Sequence, residues 1–229
     1  MIRTPILMLS FFWAVLSVPS IHAQNLSKYR DYQLGMDLPA VAELAGMKPA
    51  QAKMIHERPA VIQELEWQPG ISVAALPSTD PVREILFGFY NNQLYRIVIN
   101  YDQYNTEGLT NQDLVDAISA KYGTSTVPVA QVISSSSSQV YDDSEKVIAR
   151  WEDSQYSVNL FHFTYKSDFG MLLFSKRLDA LASAAIAQAI HMNEQEAPQR
   201  EIERQKKQDE EKLAAGQKAR PANKAGFRP

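Results

Sequence analysis

The chain of 229 residues contains no cysteine. Disulfide support is therefore excluded, so the core alone must hold the fold, and a lipid anchor of the lipoprotein kind lacks the residue that would carry it. Histidine is scarce as well: His22, His56, His162 and His191 are far apart and form no HExxH or paired zinc spacing. With nine glycines in all, no Walker loop, Rossmann glycine pattern or G-x-S-x-G elbow occurs, which removes nucleotide-dependent enzymes and serine hydrolases built on that elbow. Residues 24–193 carry 13 Lys plus Arg against 19 Asp plus Glu. Without a basic stripe interleaved with stacking aromatics, nucleic acid is an unsuitable partner. The longest apolar run, residues 6–18, has 13 residues where a bilayer-spanning helix needs about 20.

That run has another reading. Arg3 precedes it, Pro19 follows it, and Ile21, His22 and Ala23 make a small-residue cleavage site, so residues 1–23 are expected to be a secretory signal peptide cleaved after Ala23. An exported chain without cysteine suits the envelope of a Gram-negative bacterium, so the expected location is periplasmic or secreted.

Within LGMDLPAVAELAG the spacing predicts a short helix capped by Asp37 and closed by Gly46, with Val41, Leu44 and Ala45 as its apolar stripe. The next stretch, KPAQAKMIHERPA, is open between strand and helix start. Val61 to Trp67 alternates as a half-solvated strand, with Glu64 and Glu66 on one face. VREILFGFYNNQLYRIVINYD predicts a β-hairpin turning at Asn91, Asn92 and Gln93, because asparagine tolerates positive φ. Its second strand sets Tyr95, Ile97, Ile99 and Tyr101 against Leu94, Arg96, Val98 and Asn100. Thr110 and Asp113 form a capping-box pattern ahead of the stripe Leu114, Val115, Ile118 and Tyr122, and Gly123 ends that helix. Pro128 and the serines at 134–138 read as a surface connection. VIARW, YSVNLFHFTY and MLLFS read as three further strands, the last two joined by a turn using Ser167, Asp168 and Gly170. A second long helix is expected from about Arg177 to Met192, and beyond Pro198 a charged helix or disordered tail.

The two halves look alike, each with a helix ending in glycine, a strand ending in tryptophan and two more strands: Gly46, Trp67 and the hairpin, then Gly123, Trp151 and the pair ending at Phe174. KYGTST followed by ARWEDSQYSVNLFHF resembles the helix, YG turn and tryptophan-bearing strand of small envelope proteins of the BamE-like and β-lactamase-inhibitor-like type. The resemblance covers residues 34–174 as two units. It implies an α+β fold with helices packed on one face of an antiparallel sheet, and work done by binding proteins. The chain departs from the assembly lipoproteins by lacking the lipid-bearing cysteine. The expected division is a signal peptide at 1–23, α+β units at 24–109 and 110–193, the second with a docking helix, and a tail at 194–229.

For function, the tyrosines are the informative residues. Tyr90, Tyr95, Tyr101 and Tyr104 crowd the hairpin and its exit, and tyrosine is enriched where proteins meet. Tyr95, Tyr101 and Tyr104 are the candidate partner-binding residues, although cross-strand rings also stabilise sheets. Trp67 and Trp151 are expected in the core. No cofactor, metal or catalytic residue is indicated, and Asp142, Asp143 and Glu145 lack the ligand spacing of a calcium loop. The leading expectation is an exported, non-enzymatic protein-binding module whose partner is another envelope or secreted protein. The alternatives are an exported hydrolase using dispersed groups such as Glu64, Glu66, His162 and Asp168, or a small-ligand carrier with an apolar pocket between sheet and helices. A polar cleft joining His162 to two carboxylates would favour the hydrolase.

Overall fold

A computed structural model describes residues 25–69, 80–126, 146–163, 168–226 and 228. The expected signal peptide, the serine run, Asp142, Asp143, Glu145 and Ser167 lie outside the described residues. The fold is α+β. A two-stranded ribbon, β1 (Lys28–Tyr29) and β2 (Tyr32–Gln33), leads to α1 (Leu38–Leu44), a 3₁₀ turn (Pro49–Gln51) and strands β3 (Lys53–His56) and β4 (Ile62–Trp67). The hairpin β5 (Val82–Tyr90) and β6 (Gln93–Tyr101) follows, then the short helix α2 (Gln103–Thr106) and α3 (Asn111–Tyr122). Strands β7 (Lys146–Glu152), β8 (Tyr156–His162) and β9 (Phe169–Ser175) complete the sheet, and α4 runs over Lys176–Gly226. The ambiguous stretch after Gly46 thus holds both elements, a single 3₁₀ turn at Pro49 and then a strand.

One antiparallel sheet has the order β3-β4-β5-β6-β9-β8-β7. Two meanders, β4-β5-β6 and β7-β8-β9, join through their third strands, with Arg96 opposite Phe174 and Asn100 opposite Gly170. A helix precedes each meander in the chain.

Local chemistry explains the element ends. Asp37 accepts the Ala40 amide at 2.9 Å to start α1, and Thr110 and Asp113 cap each other at α3. Asn91 and Asn92 take φ of 45° and 65°, making a two-residue turn in which Gln93 already pairs with Tyr90. Their side chains also tie the hairpin down: Asn91 Oδ1 accepts the Val61 amide at 2.9 Å and Asn92 Oδ1 the Leu38 amide at 3.2 Å.

Both faces of the sheet are covered. On the first, α1, α3 and the β1–β2 ribbon enclose a continuous core that includes Val41, Leu65, Phe87, Ile97, Ile118, Trp151 and Leu160. Trp151 is 1% exposed, and its Nε1 donates to the Gly123 carbonyl at 2.8 Å and to Ser119 Oγ at 3.2 Å, which welds α3 to β7. Trp67 is only half-buried at the rim of this core. In α1 the inward residues are Leu38, Val41 and Ala42, whereas Leu44 is exposed. On the second face, Leu178 and Ala182 of α4 pack on Ile62 and Tyr95.

Three further expectations change. Gly170 is not a turn residue; it sits within β9 opposite Asn100 and Phe161, so close to the Phe161 ring that a Cβ would lie 2.3 Å from it. The alternation of β6 is broken by a bulge: Gly88 pairs with Arg96 but Phe89 with Leu94, leaving Tyr95 as the extra residue. Leu94 therefore joins Ile97 and Ile99 on the first face, and Tyr95 turns to the second. Finally, the helix expected to stop near Met192 continues through Pro198 to Gly226, so of the two readings of the tail the charged helix is the one found. Proline removes one ladder bond. The flanking Glu, Gln, Lys, Arg and Ala residues favour helix, and Glu201 binds Arg204 and Gln205 one turn away.

Candidate functional site

The three tyrosines singled out from the sequence do not share a surface. Tyr95 is 2% exposed, held under α4 with the Arg96 guanidinium 5.0 Å from its ring centroid. Tyr101 lies on the opposite face, half-buried at the end of β6, and Tyr104 is 85% exposed on α2. The bulge at Gly88 separates the first from the other two, because one extra residue reverses the side to which Tyr95 points.

The dispersed acid and base groups are separated too. His162 follows Val158 and Leu160 by even steps along β8, so it belongs to the first face, and its ring meets Phe169 edge-on at 5.0 Å. Glu64 and Glu66 share the second face with Ile62. Asp168 is buried and bound by Arg83 at 3.0 Å. Among the described residues, no three His, Asp or Glu side chains gather as a metal site would require. Glu66 has another role, beside Glu84 of β5. Gln68 donates to Glu66 at 2.6 Å and Asn100 to Glu84 at 2.7 Å, and burial, followed by the adjacent Glu84, pushes the Glu66 carboxyl above its ordinary value. This is a polar network across β4, β5 and β6 on the second face.

Tyr101 belongs instead to an apolar cleft of about 370 Å³ on the first face, between the sheet, α2 and α3. Tyr29 from β1, Tyr101 from β6 and Met171 from β9 form its floor, and Leu114, Ile118 and Tyr122 from α3 form one wall. Leu109, 43% exposed in the connection between α2 and α3, stands at its lip. The tyrosine hydroxyls are partly spoken for: Tyr122 donates to the Lys28 carbonyl at 2.8 Å, and Tyr101 reaches Met171 Sδ at 3.9 Å. Burial pushes all three phenols up, Tyr29 to about 12 and the other two further, so they stay neutral at physiological pH.

Lys121, in the last turn of α3, closes the rim. Its ammonium lies 5.5 Å from the Tyr29 ring centroid and 5.2 Å from that of Tyr122, so its stem runs along the aromatic wall while its charge meets water. Partial burial, then the positive charges of Arg30 and Lys28, lower its pKa. Arg30 itself grips Asp80 with two bonds of 2.8 and 2.7 Å.

A second cleft of about 510 Å³ at the other end of the sheet is more polar, with Gln93, Ser154, Gln155 and Arg177 among its lining residues. Comparison with protein-family models, with curated proteins and with solved structures finds no match. The functional argument therefore rests on geometry.

The sequence reading missed Tyr29, Leu109, Lys121 and Met171 as members of a site. They come from four separate segments, and only the lysine breaking into the aromatic and aliphatic pattern of α3 offered a signal.

Proposed function

We propose that this chain is an exported, non-enzymatic binding protein of the bacterial envelope, working through the α2–α3 side of its sheet. The observation that supports this reading is the apolar cleft bounded by Tyr29, Tyr101, Ile118 and Tyr122, with exposed Leu109 and Lys121 at its edge. A concave, mostly apolar site with few polar groups is the usual form of a binding site. The candidate acid and base groups lie on opposite faces, which weakens the hydrolase alternative. Beside the cleft, Tyr104 stands out from α2 and offers an aromatic anchor to a protein partner. The export part of the proposal rests on the signal pattern at residues 1–23. Among the described residues, no helix is long and apolar enough to cross a membrane.

The test is capture from envelope extract with the wild-type chain and an Ala117→Trp bait. Ala117 is an exposed residue lining the cleft, so a tryptophan there obstructs it without entering the core. Loss of a captured partner by a bait with unchanged circular dichroism supports the reading. Identical capture by both baits, with identical binding of small apolar ligands, contradicts it.

A further inference from the structure

The cleft carries an asymmetry that limits its ligand. Its walls are aromatic and aliphatic, and among the described residues that line it Lys121 carries the one formal charge. Lys121 lines it, and Lys28 adds to the same field. Among the described residues Lys121 has no carboxylate partner; its contacts are the faces of Tyr29 and Tyr122. The three phenols, being neutral, do not offset that charge. A cation held at the mouth of an apolar cleft is met best by a molecule with an apolar body and one anionic end. The volume sets its size. At about 30 Å³ for each water-sized group, 370 Å³ admits roughly a dozen non-hydrogen atoms.

We infer that the cleft between α3 and the sheet binds a medium-chain amphipathic carboxylate, its chain between Tyr101, Ile118 and Met171 and its carboxylate on Lys121. This rests on the binding reading above and adds the ligand's chemical class. Tyr29 and Tyr122 orient the lysine: their rings hold its stem at the rim, so the ammonium is placed before the ligand arrives. Lys121 is thus the specificity-determining residue, and the apolar walls supply affinity without regard to charge.

Calorimetric titration of the full chain with decanoate, below its micelle concentration, tests this, with decanol and decyltrimethylammonium as neutral and cationic counterparts. Decanoate is expected to bind the wild type with micromolar Kd, in keeping with a ligand of that size. Lys121→Gln should weaken decanoate about tenfold and leave decanol within about twofold, while Lys121→Arg restores decanoate. Ala117→Trp should abolish binding of both decanoate and decanol. Leu109→Glu, a lip substitution outside the core, gives an independent check and should weaken decanoate more than decanol. Absence of decanoate binding, equal binding of all three amphiphiles, or decanoate binding indifferent to Lys121→Gln would overturn the inference. If decanoate fails while Ala117→Trp still removes the captured partner, the ligand class falls and the binding function stands. If decanoate binds as described and capture is unaffected, the protein-partner component falls instead.

Discussion

On the first face of the sheet, Trp151, Leu160, Ile97, Phe87 and Leu65 meet two helices and a ribbon across a single apolar layer, whereas the second face is broken into patches. Leu86, Val98, Phe161 and Leu172 form one apolar patch, Ile62 and Tyr95 with α4 another, and Arg96, Asn100, Ser157 and Asn159 lie buried among them. The first face gains from area alone, since burial stabilises roughly in proportion to apolar surface removed from water. The second depends on polar partners: Asn159 accepts from Arg150 at 2.7 Å, Asn100 donates to Glu84, and Arg96 approaches Asp179 of α4 at 3.7 Å. Polar groups so buried are costly unless paired. The difference teaches where a ligand can be admitted. The apolar face can present a cleft at its margin to an apolar ligand, whereas an apolar ligand on the patched face would lie against buried polar atoms such as Ser157 Oγ and Asn159 Nδ2, which have no hydrogen-bond partner among the described residues.

The largest effect that would test this contrast is Trp151→Ala, which should cost about 3 to 5 kcal/mol in denaturant unfolding, since it removes a fully buried ring and its bond to Gly123. Trp67→Ala, at the half-buried rim, should cost clearly less; equal costs would mean that the first face has no distinct centre. Next, Gly170→Ala drives a Cβ into the Phe161 ring and should cost about 1 to 3 kcal/mol, with Phe161→Leu in the same chain recovering part of the loss. Independent, additive effects of the two changes would disprove that contact.

Smaller, and opposite in sign on the two faces, are the pH effects. Arg30 holds the Asp80 carboxyl below its ordinary range on the first face. Its stabilisation is present above the ordinary aspartate value of about 4 and fades as pH falls through and below it, by under about 1 kcal/mol because the pair is partly solvated. Asp179 is raised by burial, with Arg96 opposing, so its ionisation costs stability as pH rises above that value. Asp80→Asn should flatten the acid limb of a stability profile, and Asp179→Asn should remove a decline on the other side. Matching slopes from the two variants would erase the distinction drawn between the faces. The smallest expected change is from deleting residues 197–229, which are exposed throughout the described part of that span. The unfolding midpoint should barely move, since among the described residues the last tie between α4 and the body is the Arg58–Glu196 ion pair, just before the cut. A loss of several kcal/mol would show that this part of α4 supports the body.

Much of the architecture was legible before any coordinates. The hairpin at Asn91–Asn92, the capping box of Thr110 and Asp113 and the stop at Gly123 are written in local preferences, the positive φ that asparagine and glycine tolerate and a cap that closes within three residues. The strands around Trp151 and Phe174 follow from β-branched and aromatic composition. Tyr95 was misplaced because a one-residue bulge leaves no mark in hydrophobic alternation, though Gly88 opposite Arg96 is the small residue that permits it: a Cβ there would lie 2.7 Å from Arg96 Cγ. Pro198 misled in the other direction, since a helix of strong formers tolerates the loss of one bond.

The sequence by itself determined the α+β class, the capped starts of α1 and α3, the hairpin turn and the acidic balance of the body, because periodicity, caps and composition are properties of neighbouring residues. Only the tertiary structure decided that the two meanders share one sheet through β6 and β9, that Tyr95 and Tyr101 part company, and that Tyr29, Tyr101, Lys121 and Met171 surround one cleft. Those residues are separated by up to 142 positions (171 minus 29), and the long-range pairing that unites them depends on loop closure and packing rather than on any local preference.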